Sequence, residues 1–193
     1  MADGAVATDT LTGYVGQDTT YSFCVGTRIK SSSVANPSVI TTCDTAGVAA
    51  PHGFRAGQSV YIVRHYGSTP SIDGTYVVAQ VIDANSFTIS GVNCTIGGFE
   101  GFVTALTNDI TGKTFVMTIK DSDTAPTFTK TITCTVTDGP HRELNALLLA
   151  AVSAVIPVST SHKWDLWQTN AGTAWVFGDG TYVQKTERRV APP

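Results

Sequence analysis

Ser59-Val60-Tyr61-Ile62-Val63, Thr75-Tyr76-Val77-Val78 and Ser86-Phe87-Thr88-Ile89 decide how this chain is read. Each run joins β-branched to aromatic residues, the mixture that fits a pleated, half-buried surface. Asp73-Gly74 and Gly97-Gly98 supply positive-φ positions for tight turns between such runs. The gaps are too short for intervening helices. With Val39-Ile40-Thr41-Thr42 as an earlier strand, the stretch from about Val39 to about Thr104 is expected to form a small antiparallel barrel or sandwich, because meandering short strands bury their faces by curling over one another.

Outward from this block the style changes. On its N-terminal side, Lys30-Ser31-Ser32-Ser33 and Asn36-Pro37 interrupt any ladder. Before them, Gln17 to Gly26 alternates Tyr21, Phe23 and Val25 with Thr20, Ser22 and Cys24, the period of two of a half-buried strand. On the C-terminal side, Lys113–Lys120 puts Phe115, Met117 and Ile119 on one face. Phe128–Val136 repeats the alternation, and Asp121-Ser122-Asp123 with Pro126 joins the two as a hairpin. Leu144, Leu147, Leu148, Ala151 and Val155 recur at helical spacing, so a helix is expected from Pro140 to about Ile156, capped by Asp138 and stopped by Pro157. Trp164–Trp167 and Ala174–Phe177 read as strands around a loop at Asn170-Ala171-Gly172. Gly178-Asp179-Gly180 then turns into a last strand through Tyr182. Together these predict an all-β fold with one short helix: a β-sandwich built from residues 1–30 and 105–193, interrupted by a small β-barrel over 31–104.

Composition narrows the function. The 193 residues carry 14% charged side chains and a formal net charge of −3, without the basic excess that phosphate contacts require, so nucleic acid is not the expected ligand. No run of about 18 apolar residues and no basic-then-apolar leader is present, so neither a membrane nor secretion is expected. Cys24, Cys43, Cys94 and Cys134 form no CxxC pair. Their spacing suggests no zinc site and leaves open buried thiols or the pairs Cys43 with Cys94 and Cys24 with Cys134. His52, His65, His141 and His162 are scattered, and no nucleophile elbow or phosphate loop accompanies them. No catalytic residue, cofactor or metal is expected, and Asp121-Ser122-Asp123 lacks the ligand series of a calcium loop.

Residues Gln17 to Val25, Leu106 through Ile119 and Trp164 to Thr169 resemble the immunoglobulin-like N-terminal domain of phage baseplate upper proteins, notably in Asp109-Ile110-Thr111-Gly112-Lys113-Thr114-Phe115 and Lys163-Trp164-Asp165-Leu166-Trp167. Pro51-His52-Gly53-Phe54, Ala56-Gly57-Gln58-Ser59-Val60-Tyr61-Ile62, Asp73-Gly74-Thr75-Tyr76 and Asp83-Ala84-Asn85-Ser86-Phe87-Thr88-Ile89 resemble small β-barrel modules spliced into phage structural proteins. Similar modules lie beside the catalytic half-domain of ubiquitin-activating enzymes. The resemblance implies an immunoglobulin-like sandwich and a non-enzymatic part of a tailed-phage virion, assembled in the host bacterial cytoplasm. Its partners would be capsid, tail or fibre subunits, and copies of itself in a symmetric array. Since the chain stops soon after the sandwich, a tail or baseplate adaptor or a capsid-decorating role suits it better than host recognition. Tyr61, Tyr66, Phe99, Arg188 and Arg189 are the candidate contacts. The alternative is a glycan- or receptor-binding module on the virion surface, with Tyr61, Tyr66, Trp164, Trp167 or Trp175 stacked on sugar rings.

Overall fold

The computed structural model describes residues 11–44, 46–121, 126, 128–170 and 173–185. Among them run β1 (Leu11–Tyr14), β2 (Thr19–Cys24), β3 (Thr27–Ser32), β4 (Val39–Cys43), β5 (Ser59–Val63), β6 (Gly74–Asp83) and β7 (Ser86–Ile89). These are followed by β8 (Phe102–Ala105), β9 (Thr114–Lys120), β10 (Thr129–Asp138), β11 (Glu143–Leu148), the short helix α1 (Ala150–Ser153), β12 (Ser159–Asn170) and β13 (Thr173–Lys185). The fold is all-β with one short helix, and the chain divides into two compact units. One holds Cys24–Ile110 and Asp138–Arg142. The other holds residues 11–23, Thr111–Thr137 and 143–185.

The first unit is a closed antiparallel barrel in the order β3-β4-β7-β6-β5-β8. Period-two alternation puts Val60 and Ile62 of β5 inside, and Ile29, Ile40, Ile72, Val78, Phe87, Ile89 and Val103 join them in a core fully shielded from solvent. Burying each such side chain stabilises the barrel by roughly 1.5–3 kcal/mol. Closure also removes the unpaired edges that a free sheet would expose. Lys30-Ser31-Ser32 does not break the ladder: it is the second half of β3, with a register shift between Ile29 and Ser31. The polar run is tolerated because Ser32, although buried, finds hydrogen-bond partners inside the barrel.

The second unit is a nearly closed, mixed seven-stranded sheet in the order β1-β13-β12-β9-β10-β11-β2, with β1 parallel to β13. Phe115, Met117 and Ile119 of β9 are buried as the alternation requires, and so are Ile132 and Cys134 of β10. Trp164 is wholly buried in β12, 5.5 Å from the Phe23 ring. Lys120 and Asp165 pair at 2.6 Å on neighbouring strands. Gly13 is where β1 meets Tyr182: a Cβ at this position would overlap the phenol, whose hydroxyl donates to Gln184 Oε1 at 2.5 Å.

Two expectations for the second half of the chain are corrected. The helix over Pro140–Ile156 is mostly strand, since β11 occupies Glu143–Leu148 and α1 spans only Ala150–Ser153. Leu144, Ala146 and Leu148 satisfy a period of two as well as Leu144, Leu147 and Leu148 satisfy 3.6. The sheet rewards the former by giving β10 a further partner. Asp138 caps a turn, not a helix, accepting the His141 N–H at 3.1 Å, and Arg142 at φ 60° leaves helical backbone there. Likewise Gly178-Asp179-Gly180 is no turn but the middle of β13, facing Trp164, Asp165 and Leu166 of β12. Glycines are admitted into that strand opposite bulky neighbours. Residues 122–125 of the expected Asp121-Ser122-Asp123 loop, and 171–172 of the expected Asn170-Ala171-Gly172 loop, lie outside the described residues.

Candidate functional site

The loops that follow β3 and β5 and the one that leads into β8 meet at one end of the barrel. Tyr66 and Phe99 exchange backbone hydrogen bonds, 3.1 Å from Tyr66 N to Phe99 O and 2.9 Å in the other direction. A mutually bonded antiparallel pair places both side chains on the same face. They are 53% and 55% exposed, and Val34 and Ile96, on the adjoining segments, are exposed too. The result is an apolar tip at this end of the barrel, whose other exposed large hydrophobics include Val48, Val77 and Ile82.

Beneath the tip lies a buried polar tie. The His65 ring donates from Nδ1 to the Glu100 carbonyl at 2.6 Å, because a carbonyl can only accept. That leaves Nε2 to accept from the Ser32 hydroxyl at 2.9 Å, while Ser32 Oγ accepts the Gly98 N–H at 2.8 Å. Serine and histidine stand at nucleophile-to-base distance, yet both are buried and every one of these atoms is engaged with the fold. The pair cross-links three segments.

At the other ends of β3, β5 and β8 a groove of about 730 Å³ is lined by residues 51–58, Thr27, Thr104, Asn108 and Arg142. His52 forms part of its wall. The ring accepts the Phe54 N–H on Nδ1 at 2.9 Å, donates from Nε2 to Asp83 O at 3.2 Å and stacks against Phe54. Burial holds its pKa below the ordinary 6.5, partly offset by its backbone hydrogen bonds. A histidine depressed in the fold takes its proton first in the unfolded chain, so stability is constant above about pH 6.5 and falls as pH drops towards the folded value. The barrel is therefore expected to lose stability progressively as pH falls below that point. Urea unfolding of barrel segments followed by hydrogen exchange at several pH values reads this slope, and a His52→Gln variant should lack it.

The other sequence candidates are dispersed. Tyr61 does not stand out on the surface: its ring stacks on His141 at 3.9 Å, and His141 Nδ1 contacts Asp138 Oδ2 at 2.7 Å. That hydrogen bond holds the Asp138 carboxyl below its usual range. Arg188 and Arg189 lie outside the described residues. Trp164 belongs to the core, Trp167 is half-buried, and the side chain of Trp175 lies outside what is described. All four cysteines are buried thiols. Burial pushes Cys134 up to about 12, which keeps it protonated. Among the described residues no group of three or more His, Cys, Asp or Glu could hold a metal ion, and no helix is long and apolar enough to cross a membrane.

No protein-family model and no curated protein matches this sequence. One exposed surface is not visible in the sequence pattern: Leu147 and Val155, which recur there at helical spacing, are exposed, and so are Leu149 and Val158. The signal available was the lack of any charged residue between Glu143 and Lys163.

Proposed function

We propose that this chain is a non-enzymatic structural component of a tailed-phage virion, acting through protein contacts as a tail or baseplate adaptor or as a capsid-decorating protein. The observation that carries the reading is the nesting. A barrel complete in itself, β3 to β8, is spliced between β2 and β9 of a separate sheet, the organisation that the resemblance to spliced phage modules calls for. In the same reading the seven-stranded unit is the immunoglobulin-like host domain. The exposed Tyr66, Phe99, Ile96 and Val34 supply an apolar contact surface on the barrel, and such a cluster is a usual mark of a protein interface. Chemistry is carried by none of the assigned groups: the Ser32 hydroxyl and both His65 ring nitrogens are spent on holding the tip together.

Quantitative mass spectrometry of purified particles tests this. The chain is expected in the particle at a copy number set by symmetry, about six or twelve for a tail position and hundreds for the head. Its absence from particles would sink the reading.

A further inference from the structure

The groove of about 730 Å³ at the His52 end of the barrel lies wholly within the first unit. Its floor is buried, at Thr104 and Arg142, which are 2% and 4% exposed, and its rim is open, at Arg55, Thr107 and Asn108. Full charge along it has one sign. Arg55 and Arg142 line it and, among the described residues, no Asp or Glu does, in a protein whose net charge is −3. The nearest acids in sequence are Asp83, Asp109 and Asp138, and all three stand outside the lining. The Asp83 carboxylate accepts the Asn85 N–H, and that of Asp138 is held by His141. Arg142 is firmly placed: its N–H donates to Gly139 O at 3.1 Å, its carbonyl accepts the Val25 N–H at 3.0 Å, and Nη1 donates to Thr104 Oγ1 at 3.3 Å. Its φ of 60° is uncommon for a residue with a side chain and persists where the surroundings impose it.

We propose that this groove binds a carboxylate side chain on an acidic, extended segment of a partner protein, with Arg142 at the floor and Arg55 at the rim as its anchors. A guanidinium shielded from water attracts a carboxylate more strongly than one at the surface, and its planar fork matches the two carboxylate oxygens. Phosphate fits less well. The N–H groups of Phe54, Arg55, Gly57 and Gln58 are spent on His52 Nδ1, Gln58 Oε1, Val78 O and Arg55 O, so they do not gather into the backbone nest that wraps a phosphate. Side chains must hold the anion. Thr27, Thr107 and Asn108 add hydroxyls and an amide to the lining, groups that both donate and accept, as the peptide units beside a carboxylate require. The volume falls within the roughly 300–1,000 Å³ of ligand sites, and the open rim lets the chain that carries the carboxylate leave the groove. This inference stands on the barrel alone and does not rest on the virion role.

Calorimetric titration of the full chain with an N-acetylated, C-amidated tetraglutamate peptide at about 20 mM NaCl, where screening is weak, is the test. A Kd below about 1 mM is expected even though the two net charges repel, and tetraglutamine should not bind. Arg55→Glu, at an exposed position, should weaken binding by about tenfold or more with the unfolding midpoint unchanged, and Asn108→Asp by roughly threefold. Lys30→Glu makes the same change in net charge at an exposed barrel position outside the groove, and should alter the affinity by less than about twofold. The proposal is overturned by no binding at about 1 mM, by tetraglutamine binding as well as tetraglutamate, or by equal losses in Arg55→Glu and Lys30→Glu. It is also overturned if inorganic phosphate displaces the peptide at equal concentration.

Discussion

Gly98→Ala is expected to cost the barrel roughly 3–5 kcal/mol, combining overpacking with the loss of buried hydrogen bonds. A Cβ at Gly98 would overlap His65 Nε2 and lie 2.5 Å from the Tyr66 carbonyl oxygen. Neither neighbour yields cheaply. The His65 ring is buried and bonded at both nitrogens, and Tyr66 O is backbone that accepts the Phe99 N–H. Any shift that admits the methyl also separates Gly98 N from Ser32 Oγ and Gly98 O from Ser32 N, so buried polar groups lose their partners. The barrel holds no tryptophan, since Trp164, Trp167 and Trp175 all belong to the other unit. Hydrogen exchange of peptides from residues 27–43 and 59–66 is accordingly the readout. His65→Ala should lower the cost of Gly98→Ala in a double-mutant cycle by opening the space that the methyl needs. Equal protection in Gly98→Ala and wild type would show that the Ser32–His65 tie does not hold the tip.

That tie illustrates what the sequence displays and what it hides. β5 at Ser59–Val63 and β7 at Ser86–Ile89 were legible to the residue, because alternation, β-branching and flanking turn formers are all local signals. β3 was not: Lys30-Ser31-Ser32 looks like a loop until the partners of Ser32 are known, and these are 33 and 66 residues away. The same holds for Leu144 to Leu148. Both periods fit the segment, and the choice between them was made by the sheet position beside β10, a tertiary fact. Gly178-Asp179-Gly180 reads as a turn for a related reason, whereas its glycines answer Trp164 and Leu166 on the next strand and not a reversal of the chain.

Surface residues divide in the same way. The exposure of Tyr66 and Phe99 follows from their seats in glycine-flanked loops, which a reader of the sequence can see. Tyr61 alternates outward from β5 but is covered by His141, eighty residues on in the chain. The exposure of Leu147, Leu149, Val155 and Val158 is hidden by composition, because an apolar run with no charge reads as core and Leu148 and Ile156 of the same run are indeed buried.

Trp164→Ala is expected to lower the stability of the seven-stranded unit by about 3–5 kcal/mol, towards the upper end for a buried aromatic. Trp164 is wholly buried on β12, between Ile119 of β9 and Gly180 of β13, with the Phe23 ring 5.5 Å away. The cost of such a truncation depends on how far the surroundings relax into the void. Gly180 contributes no side chain to fill it, and Ile119 is fixed by pairing on both sides, to Trp164 and to Lys130. The cavity therefore stays largely open. Trp167, half-buried on the same strand, should cost appreciably less when truncated. Urea unfolding followed through the fluorescence of the remaining tryptophans measures both. The comparison also bears on the glycan alternative, which needs a tryptophan whose face meets a ligand and whose removal leaves the fold nearly unchanged. If Trp164→Ala unfolds at the wild-type urea concentration, Trp164 is not core and a stacking role becomes the better account of it. The expected loss instead confines any sugar contact to residues outside this core.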